Sequence, residues 1–157
     1  AAAQQAAGNS QEAMRLLESA LARNPRNAEA LISLSDLRAE MKQHAVAHDG
    51  YARALDLRPS DAETLFKVVR CAYHIKSYSK AVELMERYIE HSPVNANLYY
   101  SLAGLQFHLG RMDSAKTALD QALSLAPDHP GAKELCNAVE GFLSRRTDAD
   151  TNESARR

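Results

Sequence analysis

The stretch AETLFKVVRCAYHIKSYSKAVELMERYIEHSPVN, residues 62–95, decides the fold. Its first part carries Leu65, Val68, Ala72 and Ile75 at alternating spacings of three and four, which puts all four on one face of a helix. After the break KSYS, residues 81, 85, 88 and 89 (Ala81, Met85, Tyr88, Ile89) repeat that pattern on a second helix. The second helix ends at HSPVN, because proline cannot continue a helix and biases its predecessor away from helical angles. The stretch therefore predicts two amphipathic helices joined by a tight turn.

Working outward, the same pattern recurs every 34 residues. Prolines stand at 25, 59, 93 and 127, and alanines at 13, 47, 81 and 115. Bulky residues follow one helical turn after the alanines, at Leu17, Tyr51, Met85 and Leu119. Leu21, Leu55, Ile89 and Leu123 form a fourth series. Four series at one period define an internal repeat. The alanine lets two helix backbones approach closely, and the bulky residue fills the space beside the crossing. Gly8 and Gly110 fall at inter-helix turns and suit the left-handed angles of a helix C-cap.

Repeats of this length and alternation resemble tetratricopeptide repeats. With proline at position 32, complete repeats run 28–61, 62–95 and 96–129, preceded by a partial first repeat, 1–27, made of a truncated first helix and a full second helix. Position 4 holds Leu31, Leu65 and Tyr99, and position 7 holds Leu34, Val68 and Leu102, all apolar. Position 8, a small residue in the family, is Ser35, Val69 and Ala103. Position 11, usually aromatic, departs in all three repeats, with Arg38, Ala72 and Gln106. The resemblance implies an all-α fold, a right-handed α-solenoid of antiparallel helix pairs (a TPR superhelix). Such an array needs a cap with a polar outer side. A C-terminal capping helix over 130–146 supplies it, with Leu135, Val139 and Phe142 or Leu143 as its apolar stripe. Residues 147–157, TDADTNESARR, are polar and aperiodic and read as a disordered tail.

Composition narrows the functional classes. Nineteen Lys and Arg against twenty Asp and Glu leave a net charge of -1, so no whole-molecule field recruits nucleic acid or an anionic membrane surface. No unbroken apolar run is long enough to span a membrane, so no direct membrane insertion is expected. Cys71 and Cys136 lie in separate helices, form no CxxC pair, and read as small buried apolar side chains. His44 and His48 share a helix face but leave a zinc site short of ligands, so they read as hydrogen-bonded packing residues. There is no nucleophile elbow, phosphate loop or metalloprotease motif. The expectation is a non-enzymatic protein with no catalytic residues, no metal and no cofactor.

Tetratricopeptide proteins generally hold extended or helical peptides on the concave face made by the first helices, so the resemblance implies a protein or peptide partner. In the third repeat a second stripe, distinct from the core stripe, carries Phe66, Lys67, Arg70, Tyr73 and His74. The fourth repeat carries Tyr100, Gly104, Phe107 and His108, and the second offers Asp36 among acidic neighbours. Asp36, Phe66, Lys67, Arg70, Tyr73, His74, Tyr100, Phe107 and His108 are accordingly the candidate groove, suited to a peptide with apolar anchors and an acidic group meeting Arg70. Two family subtypes are not matched. The chaperone carboxylate clamp would need Lys and Asn where Ile32 and Asp36 stand, Asn at Lys67, and Lys with Arg at Asn97 and Ser101, and the asparagine ladder would need Asn where Ser33, Lys67 and Ser101 stand. Beside the scaffold reading stand a substrate-recruiting arm of a larger enzyme such as a glycosyltransferase, a secretion chaperone, and a periplasmic assembly protein. Self-association through exposed array ends is also expected. The opening AAAQQAA reads as the remainder of an upstream helix, so a longer array is expected before it. The compartment stays open, with the cytoplasm favoured and the periplasm admitted should a leader precede this segment.

Overall fold

The computed structural model describes residues 2–157, and among these it contains eight α-helices and no strand. They are α1 (Ala2–Arg23), α2 (Ala28–Glu40), α3 (His44–Leu57), α4 (Ala62–Ile75), α5 (Ser79–His91), α6 (Ala96–His108), α7 (Met112–Leu125) and α8 (Pro130–Ala155). The chain divides into two compact units, one ending at Ser77 and one starting at Tyr78, so the boundary falls between the two helices of the 62–95 stretch. In the first unit α1 packs on α2, α2 on α3, and α3 on α4. In the second, α5 packs on α6, α6 on α7, and α8 on both α6 and α7. This is an all-α helical-repeat solenoid fold.

Each first helix of a pair starts from the same chemistry. Asn27, Asp61, Asn95 and His129 stand two residues after the periodic prolines, and each accepts a hydrogen bond from the backbone N–H three residues on, at Ala30, Thr64, Leu98 and Ala132. A side-chain cap of this kind contributes about 1 kcal/mol. The second helices α3, α5 and α7 begin without one and depend on packing. There the periodic alanines Ala47, Ala81 and Ala115 are wholly buried, as are the bulky Tyr51, Met85 and Leu119. At Gly50 the approach of α3 to α2 is so close that an added Cβ would collide with the Ser35 hydroxyl.

The turns inside each pair also recur. Lys42, Lys76 and Gly110, spaced by one repeat, all have positive φ, at 60, 52 and 73°. Gly8 occupies the same register but lies inside α1, which runs straight through it. The expected turn at Gly8 is therefore not formed. A single glycine inside a helix costs about 1 kcal/mol, and the alanine- and glutamine-rich residues before it favour helix while offering no large apolar side chain to fold back. Residues 2–23 thus form one helix, with Leu16 exposed and no fully buried side chain among those described.

At the other end, α8 continues to Ala155 instead of stopping at 146, through the segment whose composition predicts disorder. No glycine or proline interrupts it after Gly141, and Thr147 and Thr151 hydroxyls donate back to carbonyls one turn earlier. Its buried stripe is Ala132, Cys136 and Val139; Leu143 is half-buried and Phe142 faces outward. Both cysteines are buried and unpaired with one another.

The left-handed turns make a prediction about stability. Lysine at positive φ is strained relative to glycine by about 1 kcal/mol. Lys42→Gly and Lys76→Gly should each raise the urea midpoint, although glycine ordinarily destabilises, whereas Gly110→Ala should lower it. A lower midpoint for both lysine variants would refute the turn assignment.

Candidate functional site

In the first unit the helix pairs expose a face built from α2 and α4, with α3 behind them. A cleft of about 410 Å³ lies there, lined by Asp36, Ala39 and Glu40 of α2, His44 and Tyr51 of α3, and Lys67, Arg70, Cys71 and His74 of α4. Four of the predicted groove residues, Asp36, Lys67, Arg70 and His74, are brought together in it. Phe66 and Tyr73, on the same helix as Arg70, are both 39% exposed.

A hydrogen-bonded network sits at the cleft's base. Lys67 Nζ donates to both carboxylate oxygens of Asp36, at 2.9 and 3.0 Å, and contacts Glu63 at 3.4 Å. The Tyr51 hydroxyl donates to Asp36 at 2.6 Å. Tyr51 is almost completely buried, and burial followed by the Asp36 carboxylate pushes its phenol far above the ordinary value. The Lys67 ammonium, whose burial alone would lower it, is raised by its bonds to Asp36 and Glu63. Lys67 and Asp36 thus neutralise each other. Arg70 is exposed and, among the described residues, meets no carboxylate, which makes it the cation open to a ligand.

Above this network the His44 and His74 rings stack face to face, with centroids 4.0 Å apart and planes within 5°. His44 Nδ1 is shielded from solvent and has no hydrogen-bond partner, so His44 is not the hydrogen-bonded packing residue that its spacing from His48 suggests. Desolvation, then the charges of His74, Lys42 and Arg70, holds the His44 ring below the ordinary histidine value. Sequence reasoning missed His44 as a cleft residue because α3 contributes mostly to the core. Its place at the first position of that helix, opposite the last turn of α4, was the available signal. No group of three or more potential metal ligands occurs among the described residues.

The remaining predicted residues lie on α6 in the second unit. Tyr100 rests on the first turn of α8, 4.9 Å from the His129 ring, and Gly131 makes room for it: an added Cβ there would come within 2.8 Å of the tyrosine ring. Phe107 meets His108 edge-on, and His108 stacks on Tyr78 at 5.0 Å. Among the described residues, no helix is long and apolar enough to cross a membrane.

Recurring helix pairs whose first helices are capped alike, with an exposed α2–α4 face in the first unit, define a helical-repeat interaction module. The tetratricopeptide repeat family model matches residues 4–64 and 76–139, and the chain belongs to that family. The family's members are characteristically interaction modules and not enzymes. Among solved structures, the chain is similar to MamA protein at 21% identity and a TM-score of 0.70, covering 94% of this chain and 81% of that one. It is similar to YrrB, described as a TPR protein with an unusual peptide-binding site, at 23% identity and a TM-score of 0.58, over 82% of this chain and 68% of that one. A third is the first TPR of Spaghetti (RPAP3) bound to the HSP90 peptide SRMEEVD, at 16% identity and a TM-score of 0.63, over 74% and 93%. No curated protein sequence matches the chain. These likenesses extend to the fold.

Two predictions follow from the cleft geometry. Asp36→Ala leaves the Tyr51 hydroxyl and the Lys67 ammonium without their acceptor and should lower unfolding free energy by about 2 kcal/mol in urea titration, more than Tyr51→Phe does. Because the folded-state value of His44 lies below its unfolded value, stability should fall as pH drops through the interval between them. In an NMR titration the His44 midpoint should lie below that of the same residue in the urea-unfolded chain, and His74→Asn should raise it. An unmoved midpoint would contradict the stacking arrangement.

Proposed function

We propose that the chain is a non-enzymatic scaffold whose first unit captures an acidic segment of a partner polypeptide on the α2–α4 face. The observation that carries this reading is the contrast between the two α4 cations one turn apart. Lys67 is consumed by Asp36 and Glu63, whereas Arg70 stands exposed and, among the described residues, meets no carboxylate. An exposed guanidinium beside an aromatic surface suits a carboxylate, which it holds by two parallel N–H···O bonds, while Phe66 and Tyr73 offer contact area to an apolar neighbour in the peptide. That TPR proteins of the same fold include one solved with a bound peptide supports this kind of partner. In the second unit, the Phe107 and His108 surface of α6 is the corresponding place for further peptide contacts.

Selection of a random peptide library on the full chain provides the test. Enriched sequences should carry Asp or Glu next to an apolar residue, and a selected peptide measured by fluorescence anisotropy should lose about 10- to 100-fold in affinity to Arg70→Glu, consistent with loss of a charge-assisted pair and its replacement by repulsion. Arg70→Lys should lose less, and the double variant Lys67→Met with Asp36→Asn, which removes a charge pair already satisfied internally, should bind with nearly native affinity provided helicity is retained. Enriched peptides without acidic residues, or an unchanged affinity in Arg70→Glu, would refute the assignment.

A further inference from the structure

The outer side of each unit carries a cleft in the same register. One lies between α1, α2 and α3, with a volume of about 430 Å³, and the other between α5, α6 and α7, with about 280 Å³. Two repeats separate matching residues: Glu18 from Glu86, Leu34 from Leu102, and Arg38 from Gln106. Arg38 and Gln106 stand at the position that is usually aromatic in the family. Each reaches back to the glutamate on the preceding helix: Arg38 Nη2 donates to Glu18 at 3.0 Å, and Gln106 Nε2 donates to Glu86 at 3.2 Å.

The two clefts differ in charge. In the first unit the glutamate meets a guanidinium supplied by the chain itself. In the second the same glutamate meets a neutral amide, and among the described residues no Lys, Arg or His pairs with it. Gln106 is only 4% exposed, and its Oε1 has no hydrogen-bond partner. Glu86 fixes the amide this way round, because turning it over would set one acceptor against another. The cleft therefore combines a carboxylate bonded only to a neutral amide and, among the described residues, no lining cation, beside the apolar surfaces of Tyr99 and Leu102. Its volume falls below the roughly 300–1,000 Å³ of drug-sized ligand sites and suits one long side chain.

We propose that the outer cleft of the second unit docks an arginine side chain of a partner polypeptide, the guanidinium taking the place that Arg38 fills in the first unit. The guanidinium donates to Glu86, and its planar face and methylene stem lie against Tyr99 and Leu102. This site stands apart from the acidic-peptide reading, since it lies in the other unit and takes the opposite charge.

The test is titration of N-acetyl-arginine amide into the isotope-labelled full chain, followed by amide chemical shifts, with N-acetyl-citrulline amide as the uncharged isostere. The arginine derivative should produce saturable shifts at Gln106, Thr117 and Ala118, and the citrulline derivative should not. Glu86→Gln should weaken binding about tenfold, equivalent to ~1.4 kcal/mol. Gln106→Arg, which supplies the cation from within, should abolish the shifts with helicity unchanged. Glu86 is exposed, so its variant decides the question even should Gln106→Arg fold poorly. Absent shifts, equal shifts with citrulline, shifts spread over acidic residues elsewhere, or full binding by Glu86→Gln would each overturn the proposal.

Discussion

A helix of thirteen or fourteen residues with one apolar stripe is not stable alone in water; it persists because the next helix covers the stripe. The alanine crossing is the constraint on which that covering depends here. Ala47, Ala81 and Ala115 are completely buried, so a larger side chain at any of them would have to displace its neighbours. The bulky residue one turn on then has a fixed space to fill, and Tyr51, Met85 and Leu119 fill it. Once that contact is set, the length of each helix and the stereochemistry of each turn have little freedom, which is why the period holds at 34 residues. Gly50 against Ser35 shows the tolerance: the approach admits a hydroxyl on one side only because the other side has no side chain.

The helices and their pairing were legible in the sequence because they rest on local spacing. The misreadings come from places where local composition and packing compete. Gly8 has the right residue in the right register for a turn, yet the helix runs through it, while Lys42 and Lys76 adopt left-handed angles that their residue type disfavours. At Lys42 the geometry is imposed by α2 and α3, which pack on one another and must fold back at that point to bury their stripes. Before Gly8 no comparable stripe exists to impose it. The α8 extension is the converse case. Its polar residues bury nothing, but nothing in them breaks a helix already nucleated by packing at Ala132, Cys136 and Val139.

The site was legible in part for a different reason. A stripe of exposed aromatic and basic residues on α4 can be read from helical periodicity, and Arg70, Phe66 and Tyr73 are exposed on that helix. Charge pairing cannot be read that way. Lys67 looks equivalent to Arg70 along the helix, but its partner Asp36 is thirty-one positions away on another helix, within hydrogen-bond distance only after folding. Tyr51 adds to this, since a residue assigned to the core by its register also places its hydroxyl on the same carboxylate. The consequence is a cleft in which, among the described residues, Arg70 is the cation without a carboxylate, with the His44 ring stacked on His74 beside it.

The family's aromatic at the eleventh position joins these observations. An aromatic ring there would fill the outer side of each pair with apolar mass. This chain instead puts Arg38, Ala72 and Gln106 there, and in the two outer cases a glutamate on the preceding helix has become the partner. The exchange gives up packing for polarity, and it leaves room: a cleft in each unit where the ring would have been. In the first unit Glu18 meets a guanidinium, whereas in the second Glu86 meets an amide and, among the described residues, no cation. Among the lining residues that differ between the two clefts, the exchange of Arg38 for Gln106 replaces a glutamate–guanidinium ion pair with a glutamate–amide hydrogen bond, while the helix pair that carries it is built in the same way.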